Sequence, residues 1–313
     1  MATTAEKISK MSIFSKFLYD WKCNRSFLLM SIPGLIIIAL FAYYPMVGVL
    51  TAFQDYSLFK GMSGSEWIGF DNFRRFFEDP NFFRIVKNTF LLGLYNLLWS
   101  FPAPIVLALL INEMVHPRIK RFVQTATYLP YFISVVVIVG IMKSMFSDAG
   151  IVNDMLAAVD ADPIQFFNES GFFRSMYIGS DIWQGVGYSS ILYLAAITGI
   201  DTEMYDAAKI DGCSRFKQIF HITLPSMRPT IITLFILAVG SIVSVGFEKI
   251  LLMYSPATYD VADVISTYVY RKGIFDQDYG FSSAIGLFNS VVSIIFLLGA
   301  NYFSKKFLDE GLW

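Results

Sequence analysis

Long apolar runs alternate with short polar ones along almost the whole chain. Six of the apolar runs, at 27–53, 86–111, 122–146, 176–200, 230–253 and 281–303, reach the roughly 20 residues that a helix needs to cross the hydrocarbon of a bilayer. Only helices and closed barrels satisfy their backbone groups in lipid. The expected fold is therefore an all-α polytopic membrane protein with about six transmembrane helices. The fourth run is the most polar, interrupted by Asp181, Gln184 and several glycines, and Pro33, Pro45, Pro102, Pro104 and Pro130 predict kinks. Ahead of the first run, residues 1–26 are basic, and Ile13, Phe14, Phe17, Leu18 and Trp21 recur at helical spacing, the pattern of a helix lying in the membrane interface. The run at 27–53 exceeds the roughly 7–15 residues of a signal-peptide core, so it is expected to remain as an anchor. The division expected is an interfacial segment 1–26, a permeating unit 27–303 and a short tail 304–313.

Composition narrows the class. The chain is 55% hydrophobic and 17% aromatic, with 16% charged residues against about 25% in soluble domains. A net charge of −1 gives no footprint for nucleic acid. Two cysteines, Cys23 and Cys213, imply no disulfide framework, and His116 and His221 lie in different polar segments, so no zinc spacing arises. Lys and Arg concentrate at the N-terminus, at 112–121, at 201–229 and at Lys305 and Lys306. The positive-inside rule places these in the cytoplasm together with both termini, leaving 54–85, 147–175 and 254–280 as outer loops. No Gly is followed by Lys, so the chain has no phosphate-binding P-loop, and no nucleophile, base and orienting acid can be assembled. The chain is expected to be no enzyme by itself.

Residues 201–229 form a polar island between two apolar runs. Asp201 suits an N-cap, Glu203 adds negative charge to the first turn, and Ala207 and Ala208 favour helix. Gly212 supplies a turn. A second helix from Ser214 carries Phe216, Ile219 and Phe220 on one face, and Pro225 is expected to forbid simple continuation. The apolar face of this knuckle is expected to anchor it to the membrane helices. Asp206, Ala207, Ala208, Gly212, Ile222, Leu224 and Pro225 stand at the spacing of E-A-A-x(3)-G-x(9)-I-x-L-P, with Asp206 where Glu is usual. This resembles the coupling loop of the membrane subunits of binding-protein-dependent ABC importers. Tyr44-Pro45, the run Gly69 to Phe73, Asn88-Thr89, Leu129-Pro130, the run Gly150 to Asn153, Trp183 and the run Leu192 to Ala195 look like the sugar-permease branch. The stretch from Gly246 to Pro256 and the run Ile265 to Tyr270 look like the subgroup associated with plant or algal polysaccharide fragments, which include acidic pectin- or alginate-type oligosaccharides.

The resemblance implies a bacterial cytoplasmic-membrane protein that pairs with a second, homologous permease subunit, two cytoplasmic ATPase subunits and an extracytoplasmic solute-binding protein. It implies that the knuckle, with Glu203, Asp206, Ala207, Ala208, Asp211, Gly212, Ile222, Leu224 and Pro225, contacts the ATPase. ATP and Mg would bind that partner, and this chain would hold no cofactor.

Ionisable side chains inside apolar runs are functional candidates by default. Lys143, Asp181, Glu248 and Lys249 fall near one depth and are expected to form a polar ring around a pathway, or to snorkel and pair for structure. Trp183, Gln184 and Tyr188, with Asn96, Trp99 and Asn289, offer the aromatic faces and amides that a sugar needs, though aromatic belts use the same residues. The small residues Gly240, Ser241, Ser244 and Gly246 mark close helix approach, to a partner permease or within this chain. A permease for another solute, or an ion-coupled carrier, is the alternative. The latter should show inverted repeats and a midplane carboxylate, and neither is evident.

Overall fold

The computed structural model describes residues 13–308, 311 and 312. Helix α1 (Ile13–Ile38) continues through a π turn (Ala39–Tyr43) and a 3-10 stretch (Tyr44–Phe53). The segment expected to lie in the interface thus opens the first spanning helix instead of standing apart, because nothing between Trp21 and Phe27 breaks a helix. Its residues 1–12 lie outside the described residues. Strands β1 (Gln54–Asp55) and β2 (Glu66–Trp67) pair antiparallel, and α2 (Asp71–Glu78) follows. Helix α3 (Phe82–Tyr95) passes through a π turn (Asn96–Ser100) into α4 (Pro102–Glu113). Then come α5 (Pro117–Tyr128), α6 (Val135–Met145) and the long α7 (Ser170–Thr198). The knuckle is α8 (Thr202–Ile210) and α9 (Arg215–Gln218), and α10 (Leu224–Gly240), α11 (Phe247–Met253), α12 (Ile265–Tyr270) and α13 (Tyr279–Leu308) complete the chain.

Among the described residues, four helices are long and apolar enough to cross a membrane: Arg25–Phe53, Phe82–Glu113, Arg215–Gly240 and Tyr279–Phe307. A fifth is counted if Pro117–Phe132 and Val135–Met145, bent by 100°, are one broken span. Three of the six expected runs depart from a single continuous apolar helix. Helix α7 has the length, at 29 residues, but Arg174, Asp181 and Gln184 dilute its apolar character. The third run breaks at Ile133, where the 3-10 turn Leu129–Phe132 ends and Ser134 caps α6 by accepting the Val137 N–H. The fifth run stops at Gly240 and resumes only at Phe247, with serines, β-branched residues and a glycine, all of weak helix propensity, between.

Three apolar clusters hold the bundle. One joins Leu92, Val139, Tyr177, Ile250 and Met253. A second, aromatic cluster gathers Phe76, Ile85, Tyr268, Phe281 and Ile285. The third packs Ile111, Tyr193, Leu194, Ile197 and Met227. The first span stands apart from this core: none of its most apolar stretch is buried. It is tied near its end, where Thr51 Oγ1 donates to Ser283 Oγ at 3.0 Å.

The asparagines that carried the family resemblance are clamps on loop backbone. Asn72 Nδ2 reaches the carbonyls of Ala52 and Gln54, each at 3.1 Å. Asn88 Nδ2 reaches those of Asp260 and Asp263 at 2.9 and 3.1 Å. Asn153 holds the Ser147 and Ile164 carbonyls and accepts the Ile164 N–H at 2.8 Å. Each gives a side-chain partner to backbone carbonyls outside its own helix.

Segment 254–278 is fixed by a buried carboxylate. Asp263, fully buried, accepts both terminal nitrogens of Arg271 at 2.9 and 2.6 Å and the Thr267 hydroxyl at 2.8 Å. The Arg271 guanidinium lies 4.9 Å from the Tyr259 ring centroid. Burial by itself would weaken its hold on the proton, but the Asp263 carboxylate outweighs that and drives its pKa up. Nearby, burial pushes the Tyr268 phenol up, and its bond to Asp79 adds to the shift. Burial pushes Asp79 up too, yet donors from Tyr268 and Asn81 prevail and leave it below the usual carboxylate value. Asp263→Asn strands the half-covered Arg271 charge, so it should lower unfolding free energy by about 3 kcal/mol. A thermal unfolding midpoint in detergent equal to wild type would contradict this role.

Candidate functional site: a membrane cavity and an exposed helical knuckle

On α7, residues four apart share a stripe, and two stripes have different neighbours. Asp181, Gly185 and Ser189 line a half-open cavity of about 290 Å³ bordered by α3, the π turn Asn96–Ser100, α4, α7, α10 and the break Ser241–Gly246. Asn96, Ser100, Ser241 and Ser244 give it further polar atoms, and the Ser100 hydroxyl is buried without a protein partner. The break is pressed close to α3, because a Cβ on Gly93 would sit 1.7 Å from the Ile242 carbonyl oxygen. Its backbone is supported from both sides: Ser241 Oγ donates to the Leu237 carbonyl at 2.9 Å, and the Gly246 N–H donates to the Tyr177 hydroxyl at 3.0 Å.

The neighbouring stripe, Gln184 and Tyr188, faces the bend of the third run. Gln184 Nε2 donates to the Ile133 carbonyl at 3.1 Å, the carbonyl that the helix break leaves open. Tyr188 stacks on Tyr131 with centroids 3.9 Å apart and planes 5° from parallel, and both rings stay partly exposed. Tyr188 also borders a second cavity, of about 350 Å³, which shares Ser100 and Ser189 with the first. Trp183 is exposed on α7, and the amide oxygen of Asn289 is buried with no partner.

The polar ring expected from Lys143, Asp181, Glu248 and Lys249 does not form. Lys249 is almost wholly buried and donates to Asp181 Oδ1 at 2.9 Å, while Asn96 holds the other carboxylate oxygen at 3.0 Å. Glu248 is exposed on the first turn of α11. Lys143 lines a separate cavity near the Phe167 ring. Only the carboxylate of the ion pair borders the cavity, because α11 points the lysine inward against Tyr177. Of the small residues of the fifth run, Gly240 packs within this chain, where a Cβ would meet Leu297 of α13 at 2.7 Å, while Ser241, Ser244 and Gly246 are exposed. Sequence reasoning missed Ser100, Ser189 and Tyr131. The signal available for the cavity was the Gly and Ser cluster at 240–246, which marks an interrupted helix as well as close packing.

The knuckle forms as the sequence pattern predicts, with two differences. Asp201 Oδ1 accepts the Glu203 N–H at 2.9 Å to cap α8. Gly212 turns the chain at φ 72°, a conformation that costs other residues about 1 kcal/mol or more. Pro225 does not stop the chain: a π turn (Ile219–Thr223), closed by the Leu224 N–H on the Ile219 carbonyl, opens the ladder before the ring and α10 continues through it. Nor do Phe216 and Phe220 anchor the knuckle. They are 70% and 52% exposed and pack on each other at 4.9 Å, with Ile210 exposed at 87%. The anchoring falls to buried Ile222, to Tyr205, whose hydroxyl lies 2.9 Å from Thr223 Oγ1, and to Arg215, 3.6 Å from Glu113. Of the other motif residues, Glu203, Asp206, Ala207, Asp211, Gly212 and Pro225 are exposed, Ala208 and Leu224 are half-buried, and Asp206 pairs with Lys209 at 2.8 Å.

A bundle with interrupted helices around a polar cavity, and an amphipathic knuckle between two of its helices, is the architecture of a solute permease. Residues 100–309 match the family of binding-protein-dependent transport system inner membrane components, and the chain belongs to that family as a permease subunit. Protein LplB of Bacillus subtilis (strain 168) is 46% identical over 286 residues, which cover 91% of this chain and 90% of that protein. The polygalacturonan/rhamnogalacturonan transport system permease protein YteP of the same bacterium is 42% identical, covering 91% and 89%. A chain in the crystal structure of a bacterial alginate ABC transporter, solved in complex with an alginate pentasaccharide-bound periplasmic protein, is similar with a TM-score of 0.86. It is 40% identical, and the match covers 94% of this chain and 99% of that one.

The ion pair gives a test of the cavity wall. Asp181→Asn should destabilise the protein by about 2 kcal/mol, because it leaves Lys249 charged and buried. Lys249→Met should restore most of that loss when combined with it. Additive losses in a double-mutant cycle, read by unfolding in detergent, would show that the two side chains are not coupled.

Proposed function

We propose that this chain is one half of the translocation pathway of an ATP-driven importer for oligosaccharides, with acidic polysaccharide fragments as the substrate class. Its relatives' names support that class: they include a polygalacturonan/rhamnogalacturonan permease and an alginate importer. In this reading the chain sits in a bacterial cytoplasmic membrane with both termini inside. A second homologous permease covers the exposed first span and the open sides of the cavity. Two ATPase subunits carry ATP and Mg, and an extracytoplasmic binding protein delivers the sugar to loops 54–85, 147–175 and 254–280.

The observation that carries the coupling part is the exposed apolar surface of the knuckle. Ile210 and Phe216 are among the most exposed large apolar side chains of the described residues, on the polar island between two apolar runs. Surface of this kind fits a protein partner. Nucleotide closes the ATPase pair, the rigidly held knuckle moves with it, and the bundle alternates between inward-open and outward-open states. The shift can be no larger than the difference in the nucleotide's affinity for the two states. In the cavity, Asn96, Asp181 and the serines offer donors and acceptors for sugar hydroxyls, and the Tyr131–Tyr188 stack offers an aromatic face for a ring.

Gly212→Asp places a side chain and a charge on the knuckle's turn. It should abolish sugar uptake while the protein still inserts and still co-purifies with the second permease. Uptake at the wild-type rate in membranes containing the variant would remove the coupling assignment.

A further inference from the structure

Lys143 stands outside both the cavity and the ion pair, in a small site that the proposed pathway does not use. It lies in the last turn of α6, with its ammonium 6.0 Å from the centroid of the Phe167 ring. A pocket of about 210 Å³ is bounded there by Lys143, Phe146, Ser147, Asp148, Gln165 and Asn168, with Phe167 beside them. Two chain segments make this pocket, and both are pinned. Asn153 binds the backbone of Ser147 and Ile164 together through three hydrogen bonds of 2.8–3.0 Å. Phe146 packs edge-on against buried Phe166 at 5.2 Å, and Asn168 is bonded to Ser255. The frame is therefore fixed before any ligand arrives, while the Lys143 side chain is exposed and has no carboxylate partner among the described residues.

The chemistry is a cation, an aromatic face, the Asp148 carboxylate and two amides that bond each other, Asn168 Nδ2 donating to Gln165 Oε1 at 3.3 Å. Lys143 and the Phe167 face match the carboxylate and the C–H face of a uronate, and Asp148 with the remaining amide N–H groups matches its hydroxyls. The translocation cavity cannot offer the same charge: the ion-paired group on its wall is the Asp181 carboxylate, and Lys249 is turned away. An acidic sugar thus finds its complementary charge in this chain ahead of the cavity, on the loop 147–175 side. We infer that Lys143, Phe167, Gln165 and Asn168 form an entry subsite for a uronate residue, which sorts acidic from neutral oligosaccharides before the cavity handles their uncharged hydroxyls. The inference rests on the acidic-oligosaccharide reading above.

The test uses the complete importer with its binding protein in vesicles, and two probes: trigalacturonate and its methyl ester, which keeps the rings and removes the charges. Lys143→Gln should raise the half-saturating concentration for trigalacturonate about three- to fivefold, the scale of one exposed charge pair. It should leave the methyl ester and the maximal rate unchanged. Lys143→Arg should recover most of the affinity, and the advantage of the acid over the ester should shrink with added salt. An equal change for both probes, or no change for either, overturns the subsite. An importer that moves the ester as well as the acid in wild type also overturns it, whereas transport of neither in wild type removes the acidic-sugar reading itself and the subsite with it.

Discussion

Every interruption of a helix at membrane depth leaves backbone groups that lipid cannot satisfy, and this structure is arranged around their repair. Gln184 closes the open carbonyl at Ile133. Ser241 folds back on Leu237, and Tyr177 receives the Gly246 N–H across the break in the fifth run. Two of these repairs tie an interrupted element to a neighbour, and α7 supplies both. That explains why α7 is the most polar of the long helices and also the one most surrounded. A continuous apolar helix would need no such partners, but it would enclose no polar cavity either.

The same rule extends beyond the spans. Asn72, Asn88 and Asn153 hold backbone carbonyls outside their own helices, and Asp263 with Arg271 pins the segment between α11 and α13. These are rigid supports. A permease that alternates between two states needs firm bodies moving about few joints, and the Gly93 contact with the break at 241–246 is one place where two such bodies meet closely. The knuckle is firm too, since Tyr205, Ile222 and Arg215 fasten it from behind while its apolar front stays open.

Polar groups divide by depth and by partner. The Asp181–Lys249 pair is consumed within the protein, so its contribution to the cavity is a carboxylate edge with little net charge. Its proximity to a pathway does not make Lys249 a ligand for an acid, because a buried lysine separated from its carboxylate would stand uncompensated.

The local pattern was enough for the class of fold, the presence of the knuckle and its motif, since apolar run length, an N-cap, two alanines and a glycine act within a few residues of themselves. It was enough for the family, because the loop spacing is a local feature. It did not show that the third and fifth runs break, that a π turn carries the chain through Pro225, or that Phe216 and Phe220 face outward. Nor did it separate Lys143 from Asp181 and Lys249, though all lie at similar places along their runs. Those outcomes depend on which residues from distant segments meet, as Gln184 meets Ile133 across 51 positions and Lys249 meets Asp181 across 68. Periodicity fixes which face of a helix is apolar; only packing decides what that face touches and which polar groups remain free.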